Sequence, residues 1–183
     1  MVGRRCEILI YLQRNNMQIS FHTITVIIQG HIYEGLTQKV IDSVRLFLPQ
    51  SYIILSTCDS KPLNEVQSYD LLIQSPDPGG FAYPHHPSEK LNNINRQIVN
   101  TLTPLKKVNT PYVLKLRSDF VLSGNKFLEY FEQYTDYEDK YRVFGHKIMA
   151  CCYFTRNPQS TLPYPFHPSD RSFDRPEYAY KWI

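Results

Sequence analysis

Apolar positions along the chain alternate between two periods. Ile24-Thr25-Val26-Ile27-Ile28 is a β-branched run with no polar face, ended by Gln29-Gly30. A run that is apolar on both faces predicts a buried parallel strand. Leu36, Val40, Ile41, Val44 and Leu48 then recur on one helical face, and Pro49 stops the helix they predict. Tyr52-Ile53-Ile54-Leu55 reads as a second buried strand, closed by Ser56-Thr57-Cys58-Asp59, and Asp70-Leu71-Leu72-Ile73 as a third, closed by the turn-rich residues 75–80. After a Pro/His-rich loop (Tyr83-Pro84-His85-His86-Pro87), Asn92 or Asn93 can cap a helix whose buried stripe is Ile94, Ile98, Leu102 and Leu105. Tyr112-Val113-Leu114-Lys115-Leu116 predicts a fourth strand that runs into Arg117-Ser118-Asp119. Ser123 can cap a short helix over residues 124–134, and a further strand is predicted around Cys152-Tyr153-Phe154. Residues 1–22 read as an irregular extension, with Met17 a candidate start, and residues 171–183 as an atypical, irregular tail.

The order strand–helix–strand–strand–helix–strand predicts an α/β domain with a mostly parallel central sheet, over residues 23–170. Its 183 residues suit one domain with a sizeable core. In such sheets ligands bind beyond the carboxyl ends of the strands. Three of the four best strands end in a polar cluster that contains an acid: Asp59, Asp77 and Asp119.

Composition narrows the function classes. A net charge of +3 without clustered Lys and Arg leaves room for a phosphate-bearing ligand and argues against nucleic acid as partner. The 14 Tyr suit stacking on sugars or bases, although ordinary packing accounts for most such rings. Cys6, Cys58, Cys151 and Cys152 lack the paired spacing of a zinc site and read as reduced thiols. The run Ile8-Leu9-Ile10-Tyr11-Leu12 is too short for a signal core, and no stretch reaches the ~20 apolar residues of a membrane helix. These features predict a cytoplasmic protein.

Arg117-Ser118-Asp119 carries the most chemistry. A carboxylate at a strand end can hold Mg²⁺ or Mn²⁺ against a diphosphate, because such hard cations take oxygen ligands and keep some water. Arg117 can contact phosphate or fix the acid. The ordinary alternative for an isolated acid at this place is a cap or turn. His85 and His86 are flanked by prolines and read as a loop rather than a metal site.

Five segments occur in order: Thr25-Val26-Ile27-Ile28-Gln29-Gly30, Ile54-Leu55-Ser56-Thr57, Asn93-Ile94-Asn95-Arg96-Gln97-Ile98, Leu114-Lys115-Leu116-Arg117-Ser118-Asp119 and Phe166-His167-Pro168-Ser169-Asp170. Together they resemble the successive motifs of the WavE lipopolysaccharide-synthesis family, across roughly residues 23–170. That family resembles glycosyltransferases of the GT-A class. The resemblance implies a GT-A-like nucleotide-binding sandwich and a divalent metal (Mn²⁺ or Mg²⁺). It further implies transfer of a sugar from a nucleotide-sugar donor to a lipopolysaccharide or other surface-glycan acceptor, with peripheral association at the inner face of the membrane through that acceptor.

Position by position, the resemblance implies that Gln29 and Gly30 line the nucleotide pocket and that Asp59 binds base or ribose. Asp77 and Gly79 shape a loop near the diphosphate. Asn95 and Arg96, at the start of a helix, attract and clamp phosphate. Asp119 holds the metal, and His167 and Asp170 complete its shell or act as base toward the acceptor hydroxyl. Each of the earlier positions keeps a plain alternative as a turn, cap or surface residue. After Asp170 the chain leaves the family pattern, and a domain cut short at its C-terminus is the expectation. A second reading is therefore a non-catalytic or truncated remnant that keeps a nucleotide-binding fold. A third, a nucleotidyltransferase, lacks the Gly-rich phosphate loop it needs, since Gly30-His31-Ile32-Tyr33-Glu34-Gly35 matches poorly.

Overall fold

The computed structural model describes residues 19–60, 63, 66–80, 91–131, 140, 148–150 and 172–174. After a single 3₁₀ turn at Phe21–Thr23 come β1 (Ile24–Gln29), α1 (Leu36–Phe47), β2 (Tyr52–Thr57), β3 (Leu71–Gln74), α2 (Ile94–Leu105) and β4 (Tyr112–Arg117). A short α3 (Phe127–Phe131) and two brief strands, β5 (Met149–Ala150) and β6 (Ser172–Asp174), follow. The strands form one sheet in the order β3-β2-β1-β4-β6-β5. The first four are parallel, while β6 runs antiparallel to both β4 and β5. The predicted α/β class with a mostly parallel sheet is what forms.

Side-chain alternation divides the core into two layers. Val26 and Ile28 of β1, Ile53 and Leu55 of β2, and Leu114 and Leu116 of β4 meet Val40, Ile41, Val44 and Leu48 on one face. Ile27, Ile54 and Val113 point the other way, to Leu105 at the end of α2. Every residue of β1 is buried, because this strand lies inside the sheet with a helix on each face. That is why its sequence shows no polar alternation.

The order of the strands also fixes where a ligand can sit. From β1 the chain moves outward through β2 to β3, then returns through α2 to place β4 on the other side of β1. The connections therefore diverge between β1 and β4, which opens a crevice at their carboxyl ends.

Several elements differ from expectation. The third strand is half-exposed at the sheet edge, and Asp70 precedes it. One Asp70 oxygen accepts from the Ile53 amide at 2.6 Å and from Arg45 Nη2 at 2.8 Å, so this acid joins β2, β3 and α1. Asn93 is the N-cap of α2 without a side-chain capping bond, whereas Asn92 Oδ1 accepts from the Ile94 amide at 2.8 Å. The stripe of α2 is buried fully only at Leu105, and Ile94 is exposed. Ser123 does not cap α3, whose first turn is set by Leu128 and Glu129 amides bonding to Asn125 and Lys126 carbonyls. Ser172–Asp174, within the segment read as an irregular tail, pairs with β4, with Phe173 opposite Leu114. The strand predicted around residues 152–154 lies outside the described residues. Among the described residues no helix is long and apolar enough to cross a membrane.

The two faces of α1 give a direct check. Ile41 is fully buried and Leu46 is 71% exposed. Ile41→Ala should cost about 2–5 kcal/mol of unfolding free energy. Leu46→Ala should stay within about 0.5 kcal/mol of the wild type in urea titrations. Equal effects would contradict the assigned face.

Candidate functional site

A cavity of ≈ 370 Å³ opens at the carboxyl ends of the parallel strands. Gln29 and Gly30 at the end of β1, Cys58 and Asp59 just after β2, Asp77 beyond β3, and Arg117, Ser118 and Asp119 at and just after the end of β4 line it. The loop after β1 adds His31 and Tyr33, and α2 adds Asn93, Arg96, Gln97 and Asn100. The structure thus brings Gln29, Gly30, Asp59, Asp77, Arg96, Arg117 and Asp119 together at one cavity. Asn95 lies off the cavity, because one face of α2 carries Asn93, Arg96, Gln97 and Asn100 and the intervening position turns away. His167 and Asp170 lie outside the described residues.

The rim is tied together at Gly30 and Ser118. The Ser118 amide donates to the Gln29 carbonyl at 2.9 Å, continuing the β1–β4 ladder by one residue. The Ser118 hydroxyl donates to the His31 carbonyl at 2.6 Å, and its own carbonyl accepts from Thr37 Oγ1 at 3.2 Å. Gly30 has φ +131°, and a Cβ there would sit 2.7 Å from Ser118 Oγ. Only glycine allows both that backbone and that close approach.

Each acid of the rim is held by a basic side chain. Both Asp77 oxygens accept from Arg96, at 2.7 and 2.9 Å, and the Gly79 amide donates to Asp77 Oδ1 at 2.9 Å. Both Asp119 oxygens accept from Arg117, at 2.9 and 2.6 Å. Asp59 accepts from the Ile32 amide at 2.6 Å, and its carboxylate meets His31 Nδ1 at 2.8 Å. These paired, two-point contacts keep two guanidinium groups oriented at the cavity, in the geometry that also suits phosphate.

The hydrogen bond from Arg96 holds the Asp77 carboxyl below its ordinary range, with the Gly79 amide adding to the effect. Burial pushes the Cys58 thiol up, and the Asp77 charge pushes it further. Cys58 is therefore a thiol donor to Asn100 Oδ1, at 3.3 Å, rather than a ready thiolate. Among the described residues no three His, Cys, Asp or Glu side chains converge as metal ligands. Asp119 faces the cavity, but a cation there would have to displace Arg117 and draw further ligands from elsewhere, so the described residues do not by themselves fit a divalent metal.

His31, Tyr33, Cys58, Asn93, Gln97, Asn100 and Ser118 also line the cavity, although the sequence reading assigned none of them to the site and gave Asn93 only as a possible helix cap. One signal was available: Asn93, Gln97 and Asn100 recur at intervals of four and three, a polar face on a helix whose opposite side is apolar. Asn100 is only 3% exposed. An amide buried against a sheet needs partners, and Cys58 supplies one.

A protein-family model described as WavE lipopolysaccharide synthesis matches residues 24–174. No curated protein and no solved structure matches the chain.

The Arg96–Asp77 pair can be tested by titration. In Arg96→Gln the Asp77 carboxyl should titrate at higher pH than in the wild type, read by carboxyl carbon NMR. A carboxyl with a lowered folded-state pKa contributes stability at neutral pH that fades as pH falls through that pKa. The contribution should be small, because the pair is exposed. An Asp77 titration unchanged in the variant would contradict the pairing.

Proposed function

We propose that the chain, which belongs to the WavE lipopolysaccharide-synthesis family, is a glycosyltransferase that takes a nucleotide-sugar donor in the cavity at the strand ends. The family places the protein in lipopolysaccharide synthesis. The observation that carries the finer reading is the convergence of four strand ends and the start of α2 on one cavity with two oriented guanidinium groups, Arg96 and Arg117. A nucleotide diphosphate carries the charge these groups recognise. The amides of Asn93, Gln97 and Asn100 offer both donors and acceptors, which suits the edge of a base or the hydroxyls of a ribose.

Transfer breaks the bond between the anomeric carbon and the diphosphate, and charge builds on the leaving oxygens. Arg96 and Arg117 would meet that charge without reorganising, since each is already aimed at the cavity. The acceptor is a sugar hydroxyl of a surface glycan or its lipid-linked precursor, and that chemistry would bring the protein to the cytoplasmic face of the membrane. A divalent cation at Asp119, with His167 and Asp170 as the further ligands that the family resemblance implies, is a second reading of the same rim. It is favoured by the position of Asp119 at a strand end on the cavity, and no step here depends on it.

Binding is the first test. UDP, GDP, ADP or CMP should raise the melting temperature, because a ligand held only by the folded state adds about 2.7 kcal/mol at a hundred times its Kd. Arg96→Ala should weaken the affinity by about tenfold or more, since charge-assisted hydrogen bonds contribute about 1.5–3 kcal/mol, and the melting-temperature rise at a fixed nucleotide concentration should shrink accordingly. Repeating the series with Mn²⁺ and with chelator separates the cation reading from the arginine one. No shift with any of the four nucleotides in either condition would overturn the proposal.

A further inference from the structure

Resting on the glycosyltransferase reading, we propose that His31, fixed by Asp59, is the catalytic base that takes the proton of the acceptor hydroxyl. A sugar hydroxyl is a poor nucleophile until its proton is removed, so the site needs a proton acceptor beside the reacting carbon. The carboxylates that face the cavity are poorly suited. Asp77 is held below its ordinary range by Arg96, and both oxygens of Asp119 already accept from Arg117.

His31 is built differently. Its Nδ1 lies 2.9 Å from Asp59 Oδ1. Asp59 cannot swing away, because its other oxygen accepts from the Ile32 amide at 2.6 Å and its own amide donates to Thr57 Oγ1 at 3.0 Å. A carboxylate at Nδ1 places the ring proton there and leaves Nε2 as the acceptor nitrogen. The described residues give Nε2 no partner. The ring is also held edge-on to Tyr33, with centroids 5.0 Å apart. With 58% of its side chain exposed, it remains open to an incoming acceptor.

Its place in the rim is equally defined. The Ser118 hydroxyl that bonds the His31 carbonyl belongs to the residue between Arg117 and Asp119. The proton acceptor and the guanidinium that meets the leaving diphosphate are thereby fixed to one another by a single side chain. Nε2 takes the hydroxyl proton as the acceptor oxygen bonds to the anomeric carbon. The bond from that carbon to the diphosphate breaks, and the diphosphate leaves with the electron pair. The imidazolium, stabilised by Asp59, then returns its proton to solvent.

Hydrolysis of UDP-glucose, UDP-galactose or GDP-mannose tests this, with water as the acceptor. His31→Ala should lower kcat by about 10²–10⁴-fold. The melting temperature and the affinity for the donor should stay close to wild type, because the ring is exposed and acts only on the acceptor. Added imidazole should restore part of the lost rate in His31→Ala but not in His167→Ala. Asp59→Asn should also lower kcat and resist rescue. An unchanged kcat in His31→Ala, a loss confined to donor affinity, or rescue of His167→Ala instead would each overturn the role of His31 while leaving the glycosyltransferase reading intact. A wild-type protein that neither binds nor hydrolyses any of these donors would overturn that reading, and the base with it.

Discussion

The site depends on the close approach of Gly30 and Ser118. β1 and β4 are neighbours in the sheet but far apart in sequence, and their connections leave in opposite directions. At that divergence the backbone of Gly30 adopts a positive φ and leaves room for the Ser118 side chain. Ser118 then bonds to the loop after β1 through its hydroxyl and to β1 itself through its amide. A side chain at Gly30 would strain the positive-φ backbone and displace the Ser118 hydroxyl from its bond to the His31 carbonyl, loosening the tie between the loop after β1 and the end of β4.

From that junction the electrostatics follow. Three acids face a small cavity: Asp77 and Asp119 are neutralised by Arg96 and Arg117, and Asp59 is hydrogen-bonded to His31, all partners that also belong to the cavity. Such pairs add little stability at an exposed site. Their consequence is orientation: a guanidinium held by two bonds has few rotamers left to lose when an anionic ligand arrives. The buried apolar layers of the sheet supply the stability, and the polar rim supplies the geometry.

Much of this was legible in the sequence. β1 announces itself as a run with no polar face, and α1 as a stripe that Pro49 ends. The strand-end acids Asp59, Asp77 and Asp119 could be placed on one rim because parallel strands share one carboxyl edge. What could not be read is pairing that depends on three-dimensional neighbours. A three-residue strand such as Ser172–Asp174 sets no period of its own, and its register against β4 is decided by tertiary contact. Likewise, nothing local says that Asp77 meets Arg96 across 19 residues, or Asp59 meets His31 across 28. Asn95 was grouped with Arg96 by adjacency, whereas the helix places Asn93, Gln97 and Asn100 beside it.

The central claim is that a nucleotide diphosphate occupies the cavity at the β1–β4 junction. The most direct measurement is a backbone amide NMR titration of the isotopically labelled protein with UDP, GDP and ADP. One of these should move a compact set of signals, from Gly30, His31, Asp59, Gln97 and Ser118, with little change at Leu46 or Tyr130 on exposed surfaces elsewhere. Shifts scattered over the surface, or none at all with any nucleotide, would contradict the account.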